Sequence, residues 1–199
     1  TECLGDKELF DKIRKFFAGF YANVKSNDAC LRFMFMTGIA KFNQTGIFSE
    51  LNNFTDISLD PMYGTLLGYT EDDIRRYFSG YLQRAAGALR LSEERTLELL
   101  RENYDGYCFD DEAAQHLYAP WSVLNFFSRP SRGFLNYWAK SGGALTLLQK
   151  YLHSHALRTP SEYAVDQLVK YSDLDCSTDL EHINDLALLT QAGYLTIKK

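Results

Sequence analysis

From Thr70 onward the chain reads as one helix start after another, and this limits most sharply what it can fold into. Thr70-Glu71-Asp72-Asp73 places a carboxylate three residues after a hydroxyl cap, so each side chain can satisfy an N–H group that the first turn leaves unpaired. The helix predicted after it carries Ile74, Tyr77, Phe78, Tyr81, Leu82, Ala85 and Leu89 on one face. Ser92 caps another, with Leu97, Leu100 and Tyr104 inward. Pro120 suits the first turn of a helix bearing Val123, Leu124 and Phe127, because its missing N–H is not needed there. Leu145, Leu148 and Leu152 mark a further helix, and Thr159-Pro160-Ser161-Glu162 combines a cap, a first-turn Pro and a capping Glu. Asp179 opens a helix with Ile183, Leu186, Leu189 and Ala192, which Gly193 ends by supplying a left-handed residue.

The part before residue 65 reads differently. Asp6 can cap a helix whose apolar positions Phe10, Ile13, Phe16, Phe17, Phe20, Tyr21 and Val24 should face a core. Leu31 to Met36 is apolar on both faces apart from Arg32, which suits a buried strand of a parallel sheet. A second strand is expected within Asn52 to Leu59, closed by Asp60-Pro61, and a third at Tyr194-Leu195-Thr196-Ile197. The expected fold is therefore mostly α with a small α/β portion: residues 1–65 as a piece of an α/β core, and residues 66–199 as a helical region. Helix, Gly, aromatic and short strand at the end resemble the passage into the wing of a winged helix.

Composition closes off several classes. An aromatic share of 15% with 24% charged residues excludes general disorder. No apolar run is long enough to cross a bilayer. Net charge is −5, which argues against a general polyanion binder while leaving room for a local basic face. Cys3, Cys30, Cys108 and Cys176 form no CxxC and no close Cys/His pairs, so no metal site is expected, and four reduced thiols in or near the core point to the cytoplasm. His153 and His155 lie two apart, on different faces of a helix.

No GxxxxGK[ST], G-x-S-x-G, HExxH or EF-hand loop is present. Without the first, phosphates have no cradle of N–H groups and no Lys, so this segment alone is expected not to hydrolyse ATP. Asp72-Asp73 and Asp110-Asp111 read as helix starts or solvated faces rather than acid/base pairs.

Five tracts in order carry more information. They are Phe35-Met36-Thr37-Gly38-Ile39-Ala40-Lys41-Phe42 running on to Ile57, then Tyr104-Asp105-Gly106-Tyr107-Cys108-Phe109, Tyr118-Ala119-Pro120-Trp121-Ser122, Asn136-Tyr137-Trp138 and Gly193 to Ile197. Together they resemble the bacterial AAA-ATPase-like family, whose P-loop NTPase region is often followed by a PD-(D/E)XK nuclease-like domain. The family pattern usually has Ser-Lys-Phe-Ser where this chain has Ala40-Lys41-Phe42-Asn43, and Tyr-Asn-Pro-Trp where it has Tyr118-Ala119-Pro120-Trp121.

The resemblance implies a segment of an ATPase that binds ATP and Mg through an upstream P-loop core, with a nuclease-like domain downstream. The chain starts at Thr1 without Met and stops at Lys199, so both ends are expected to be cuts. By the same resemblance Thr37 is placed like a sensor that orients water or reads the terminal phosphate, and Lys41 offsets phosphate charge. Pro120 and Trp121 would stand near the adenine as lid residues, against the alternative that they build the helical core. Arg75, Arg76 and Arg132 are equal candidates for an arginine finger. The rival reading is a protein or nucleic-acid interaction module with decayed ATPase chemistry. Asp175, Asp179, Glu181 and Asp185, with no Lys or Arg from 179 to 192, argue against DNA contact through the last helix. Cut faces would favour self-association.

Overall fold

Every helix start that the sequence announces within the described residues is built by the cap announced for it. A computed structural model describes residues 7–38, 54–137, 149, 151, 153, 155–156, 158–175 and 184–198. Its helices are α1 (Lys7–Ser26), α2 (Glu71–Tyr77), α3 (Ser79–Leu89), α4 (Glu93–Tyr104), α5 (Pro120–Ser128), α6 (Pro160–Tyr163), α7 (Tyr171–Asp175) and α8 (Asp185–Gln191). The Thr70 hydroxyl accepts from the Asp73 amide at 3.1 Å while the Asp73 carboxylate accepts from the Thr70 amide at 3.0 Å. The Ser92 hydroxyl accepts from the Arg95 amide at 3.1 Å. Pro120 occupies the first turn of α5, and the Glu162 carboxylate accepts the Thr159 amide at 2.7 Å. Asp6, the expected start at Asp179 and the positions Leu145, Leu148 and Leu152 lie outside the described residues, while Gln149, Tyr151 and His153 beside them are helical; α8 opens on Asn184, whose side chain accepts from Leu186 at 2.8 Å.

Contacts divide the chain into two units, Thr1–Asp56 with Gly143–Leu195, and Ile57–Gly142 with Thr196–Lys199. In the first, α1 is amphipathic as expected, but Phe16 remains 72% exposed and Phe17 and Phe20 are exposed as well. The rings pack along the helix itself, Phe17 on Tyr21 at 6.4 Å and Phe20 on Tyr21 at 5.3 Å. Leu31 to Met36, expected as a strand, forms no ladder among the described residues: Leu31 is extended, Arg32 is a bend, and Phe33 is 78% exposed. A strand exists through its hydrogen-bonded neighbour, and among the described residues this segment has none. α7 and α8 pack together, and Asp185 on α8 receives the Tyr163 hydroxyl at 2.7 Å and the Arg158 guanidinium at 3.1 Å.

The expected strand Tyr194–Ile197 is also absent, for a local reason. Gly193 takes φ 78°, and its amide returns to Thr190 at 3.0 Å while the Tyr194 amide returns to Leu189 at 2.8 Å. This closes α8 with the double bond of a left-handed C-terminus and consumes the amides a strand would need. Of the second expected strand, Phe54 to Ile57 is irregular and Ser58–Leu59 is a turn. The Leu59 carbonyl accepts from Asp111 at 3.0 Å, and the Asp60 carboxylate caps a 3-10 turn at Pro61–Tyr63 through Met62 at 2.8 Å. The described residues are thus mostly helical, and they contain no α/β sheet.

The second unit has a dense core. Ile74, Leu82, Ala85, Leu97, Leu100, Tyr104, Tyr118, Val123, Phe126 and Phe127 form one buried cluster. The single helix expected from 74 to 89 is two, because Phe78 leaves helical geometry at φ −112°, ψ 13°. Its ring stacks on Phe127 at 5.7 Å and tilts against Tyr69 at 5.0 Å, and the break turns Leu82, Ala85 and Ala86 inward while Tyr77 and Tyr81 stay exposed. Leu124, expected inward on α5, is exposed: the buried face runs Ser122, Val123, Phe126, Phe127, and Leu124 stands a further 100° round the helix.

Candidate functional site

Two of the sequence motifs meet in the second unit. Gly106 adopts φ 111° after α4, a conformation open to glycine, and reverses the chain so that Tyr107 pairs antiparallel with Leu117. Tyr118 pairs in turn with Tyr69, through bonds of 2.8 Å and 3.2 Å, and the Ala119 amide donates to the Tyr104 carbonyl at 2.9 Å. The Tyr104–Phe109 and Tyr118–Ser122 tracts are therefore adjacent, and α5 leaves from their junction.

Around this junction lies a set of paired charges. Arg101 of α4 holds the Glu71 carboxylate of α2 through two nitrogens, Nε at 3.0 Å and Nη2 closer still. Arg75 bridges from Glu71 at 3.1 Å to Glu94 at 3.2 Å, and the Tyr118 hydroxyl points at Glu71 from 3.4 Å. The hydrogen bond from Arg101 holds the Glu71 carboxyl below its ordinary value against the opposing effect of burial, with Arg75 assisting. Burial pushes the hydroxyls of Tyr118 and Tyr104 up to about 12, the latter while donating to Leu135 at 2.9 Å. An ionised carboxylate and two neutral phenols are fixed partners rather than proton carriers near neutral pH. Of the sequence signals, only the four-residue spacing of Glu71 and Arg75 pointed to this set.

Asp110 corrects a sequence expectation. It is 1% exposed rather than solvated, while its neighbour Asp111 is exposed. Its Oδ1 accepts from Ala114 at 2.9 Å and its carbonyl from Ala113 at 3.2 Å, building a turn in which Ala113 has φ 47°. Oδ2 has no partner among the described residues and faces Gly64, where an added Cβ would lie 3.1 Å from it. Cys108 is buried with its Sγ 3.7 Å from His116 Nδ1; burial, then the charges of Asp110 and Asp105, push the thiol up, which makes it inert. Cys30 is exposed, not in the core, and Cys3 and Cys176 lie outside the described residues.

Of the residues singled out for nucleotide chemistry, Thr37 is exposed just after Leu31 to Met36, and Lys41 lies outside the described residues. Pro120 is half-buried at the first turn of α5, and Trp121 is 56% exposed. Arg75 is committed to Glu71 and Glu94, Arg76 lies 5.2 Å over the Tyr77 ring, and Arg132 is exposed on a 3-10 turn at Pro130–Arg132. No three His, Cys, Asp or Glu side chains converge on a metal position among the described residues. No described helix is long and apolar enough to cross a membrane.

Residues 1–48 match the model of a family described as "Predicted AAA-ATPase". A curated relative, "Uncharacterized protein in vnfD 5'region" of Azotobacter chroococcum mcd 1, is 34% identical over 190 residues, covering 96% of this chain and 33% of the relative. The chain spans about a third of the length of that relative. No solved structure matches it.

Proposed function

We propose that the chain is a segment of a AAA-type ATPase and contributes sensor and lid elements to a nucleotide site completed elsewhere in a longer protein. The observation that carries the reading is the family match over residues 1–48, which contains both Thr37 and Lys41. The exposed Thr37 hydroxyl is available to a terminal phosphate or an attacking water, and Lys41, four residues on, would offset phosphate charge. Trp121 presents an open indole face suited to an adenine, with Pro120 fixing the start of its helix. ATP would be cradled by an upstream P-loop core, a nuclease-like domain would follow downstream, and no magnesium-dependent step is assigned to these residues.

The test uses the longer protein. Thr37→Ala and Lys41→Ala are each expected to lower ATP turnover by about 10- to 1,000-fold, the effect of removing a preorganised partner of developing charge. Trp121→Ala should weaken nucleotide binding while turnover at saturation changes less. The 199-residue chain alone should bind no ATP at micromolar concentration. Full turnover in both Thr37 and Lys41 variants, or tight magnesium-dependent binding by the isolated chain, would refute the reading.

A further inference from the structure

Charge is sorted within the second unit. Its described acids sit at Asp60, on the first turn of α2, along α4, and between Asp105 and Glu112. Arg75, Arg95 and Arg101, on that side, are all paired with glutamates. From Ile74 to Ser92, and again from Ala113 to Tyr137, there is no Asp or Glu at all. These two stretches supply α3 and the 3-10 turn Pro130–Arg132, which pack against each other. Arg84, Arg90, Arg129 and Arg132 on them are exposed and make no ion pair among the described residues.

The contacts bring Arg84, Arg129 and Arg132 to one edge, since α3 packs on the Pro130–Arg132 turn. The Arg84 guanidinium lies 4.5 Å over the Tyr81 ring, and Tyr81 is 5.9 Å from Phe127. The chain then turns through Arg129, bonded to Phe126 at 3.1 Å, and Arg132, bonded to Arg129 at 3.1 Å. A guanidinium spread flat on an aromatic ring has lost much of its rotamer freedom and keeps its N–H edge outward, the geometry that suits a phosphate. The exposed side of α3 between them is low: Ser79, Gly80, Gln83, Gly87 and Ala88 leave room for a backbone to approach.

We infer that this edge of α3 and the Pro130–Arg132 turn binds the phosphate backbone of a nucleic acid, without reading its sequence. These arginines make no ion pair, whereas Arg75, Arg95 and Arg101 are each held by glutamates, which leaves a surface open to an anion inside a chain of net charge −5. A membrane would require apolar side chains to enter the acyl region, and the exposed α3 residues named above offer none. A stable protein partner would require a broad apolar centre to the patch, and the exposed ring that α3 offers there, Tyr81, lies under the Arg84 guanidinium. The inference shares only Arg132 with the ATPase reading, where it is an arginine-finger candidate, and duplex binding is read separately from ATP turnover, so either can fail alone.

The experiment is fluorescence anisotropy of the 199-residue chain with a labelled DNA duplex of about 20 base pairs, titrated from low to physiological salt. Three phosphate contacts predict a slope of log affinity against log salt of about −2.7. Arg129→Glu/Arg132→Glu should weaken binding at least tenfold at about 50 mM salt, and Arg129→Gln/Arg132→Gln should reduce the slope to about −0.9. Arg95→Glu, on the acidic side, should change affinity less than twofold. Unchanged circular-dichroism melts establish that the variants are folded. Absence of duplex binding at about 50 mM salt, or equal binding by folded Arg129/Arg132 variants, would overturn the inference. So would binding to phosphatidylserine vesicles without binding to the duplex.

Discussion

Replacing Gly68 with alanine sets two effects of opposite sign against each other. In the unfolded chain, Gly→Ala removes conformational freedom and would stabilise the fold by about 0.4–1 kcal/mol. In the folded chain, a Cβ at Gly68 would lie 2.7 Å from Leu117 Cβ and 2.8 Å from Leu117 Cδ1. Carbon atoms prefer about 3.5–4.0 Å, so the closer contact is short by roughly 0.8 Å or more. The Leu117 Cδ1 can swing aside, but its Cβ moves only with the backbone. That backbone is held on both sides: the Leu117 amide donates to Tyr107 at 2.9 Å, and the Tyr118 amide to Tyr69 at 2.8 Å. Overpacking of this kind costs about 1–3 kcal/mol, so the net effect should be destabilisation by about 1–2 kcal/mol. Urea unfolding followed by circular dichroism reads it as a lower midpoint at constant slope. Leu117→Ala alone should cost about 2–5 kcal/mol, because the side chain is fully buried, and because it keeps the Cβ that lies 2.7 Å from the added methyl, Gly68→Ala should still destabilise when added to it. A Gly68→Ala midpoint at or above wild type would show that the pairing of Tyr69 with Tyr118 does not hold these two segments together as described.

Two further outcomes follow from the same unit. Gly87→Ala, in the exposed interior of α3 with open space around its Cβ, should raise stability by about 0.5–1 kcal/mol in the same urea experiment, the reverse sign of the change at Gly68. The carboxyls of Glu71 and Asp73 are held below their ordinary values, the first chiefly by Arg101 and the second by the Thr70 hydroxyl and amide. A depressed folded value contributes stability that is present above the unfolded pKa and lost as pH falls through the folded one. Urea midpoints should therefore hold steady from neutrality to about pH 5 and fall below about pH 4. Glu71→Gln should flatten part of that fall and lower the midpoint at pH 7 by the equivalent of about 1 kcal/mol, the upper end for a partly exposed ion pair held in a network. An unchanged acid limb in this variant would remove Glu71 from the account.

The two tyrosine-bearing tracts among those that carry the family resemblance have an evident structural occupation. Tyr104 and Tyr118 are buried, their backbones close the turn at Gly106, and Phe126 stacks on Phe134 at 4.5 Å beneath them. In the Tyr118–Ser122 tract, Trp121 is exposed and Pro120 half-buried. A ligand role for the tract therefore concentrates on those two positions, while the tyrosines hold α4, α5 and the segment before α2 in register.

Helix starts were legible in the sequence because capping is local: Thr70 and Asp73, Ser92 and the Arg95 amide, and Thr159 and Glu162 lie within one turn of each other. The end of α8 at Gly193 was legible for the same reason. Strands at 31–36 and 194–197 were not secured by apolar runs, since a strand needs a partner that the run itself does not specify, and at 194 and 195 the helix end takes the amides first. Tertiary packing alone decided that Phe78 divides one amphipathic stretch into α2 and α3, and that Asp110 is buried while Asp111 is exposed. It likewise decided that Arg84, Arg129 and Arg132 share an edge clear of the carboxylates. Residues far apart in the chain meet there, and charge sorting between surfaces is invisible to a sequence whose net charge records only the sum.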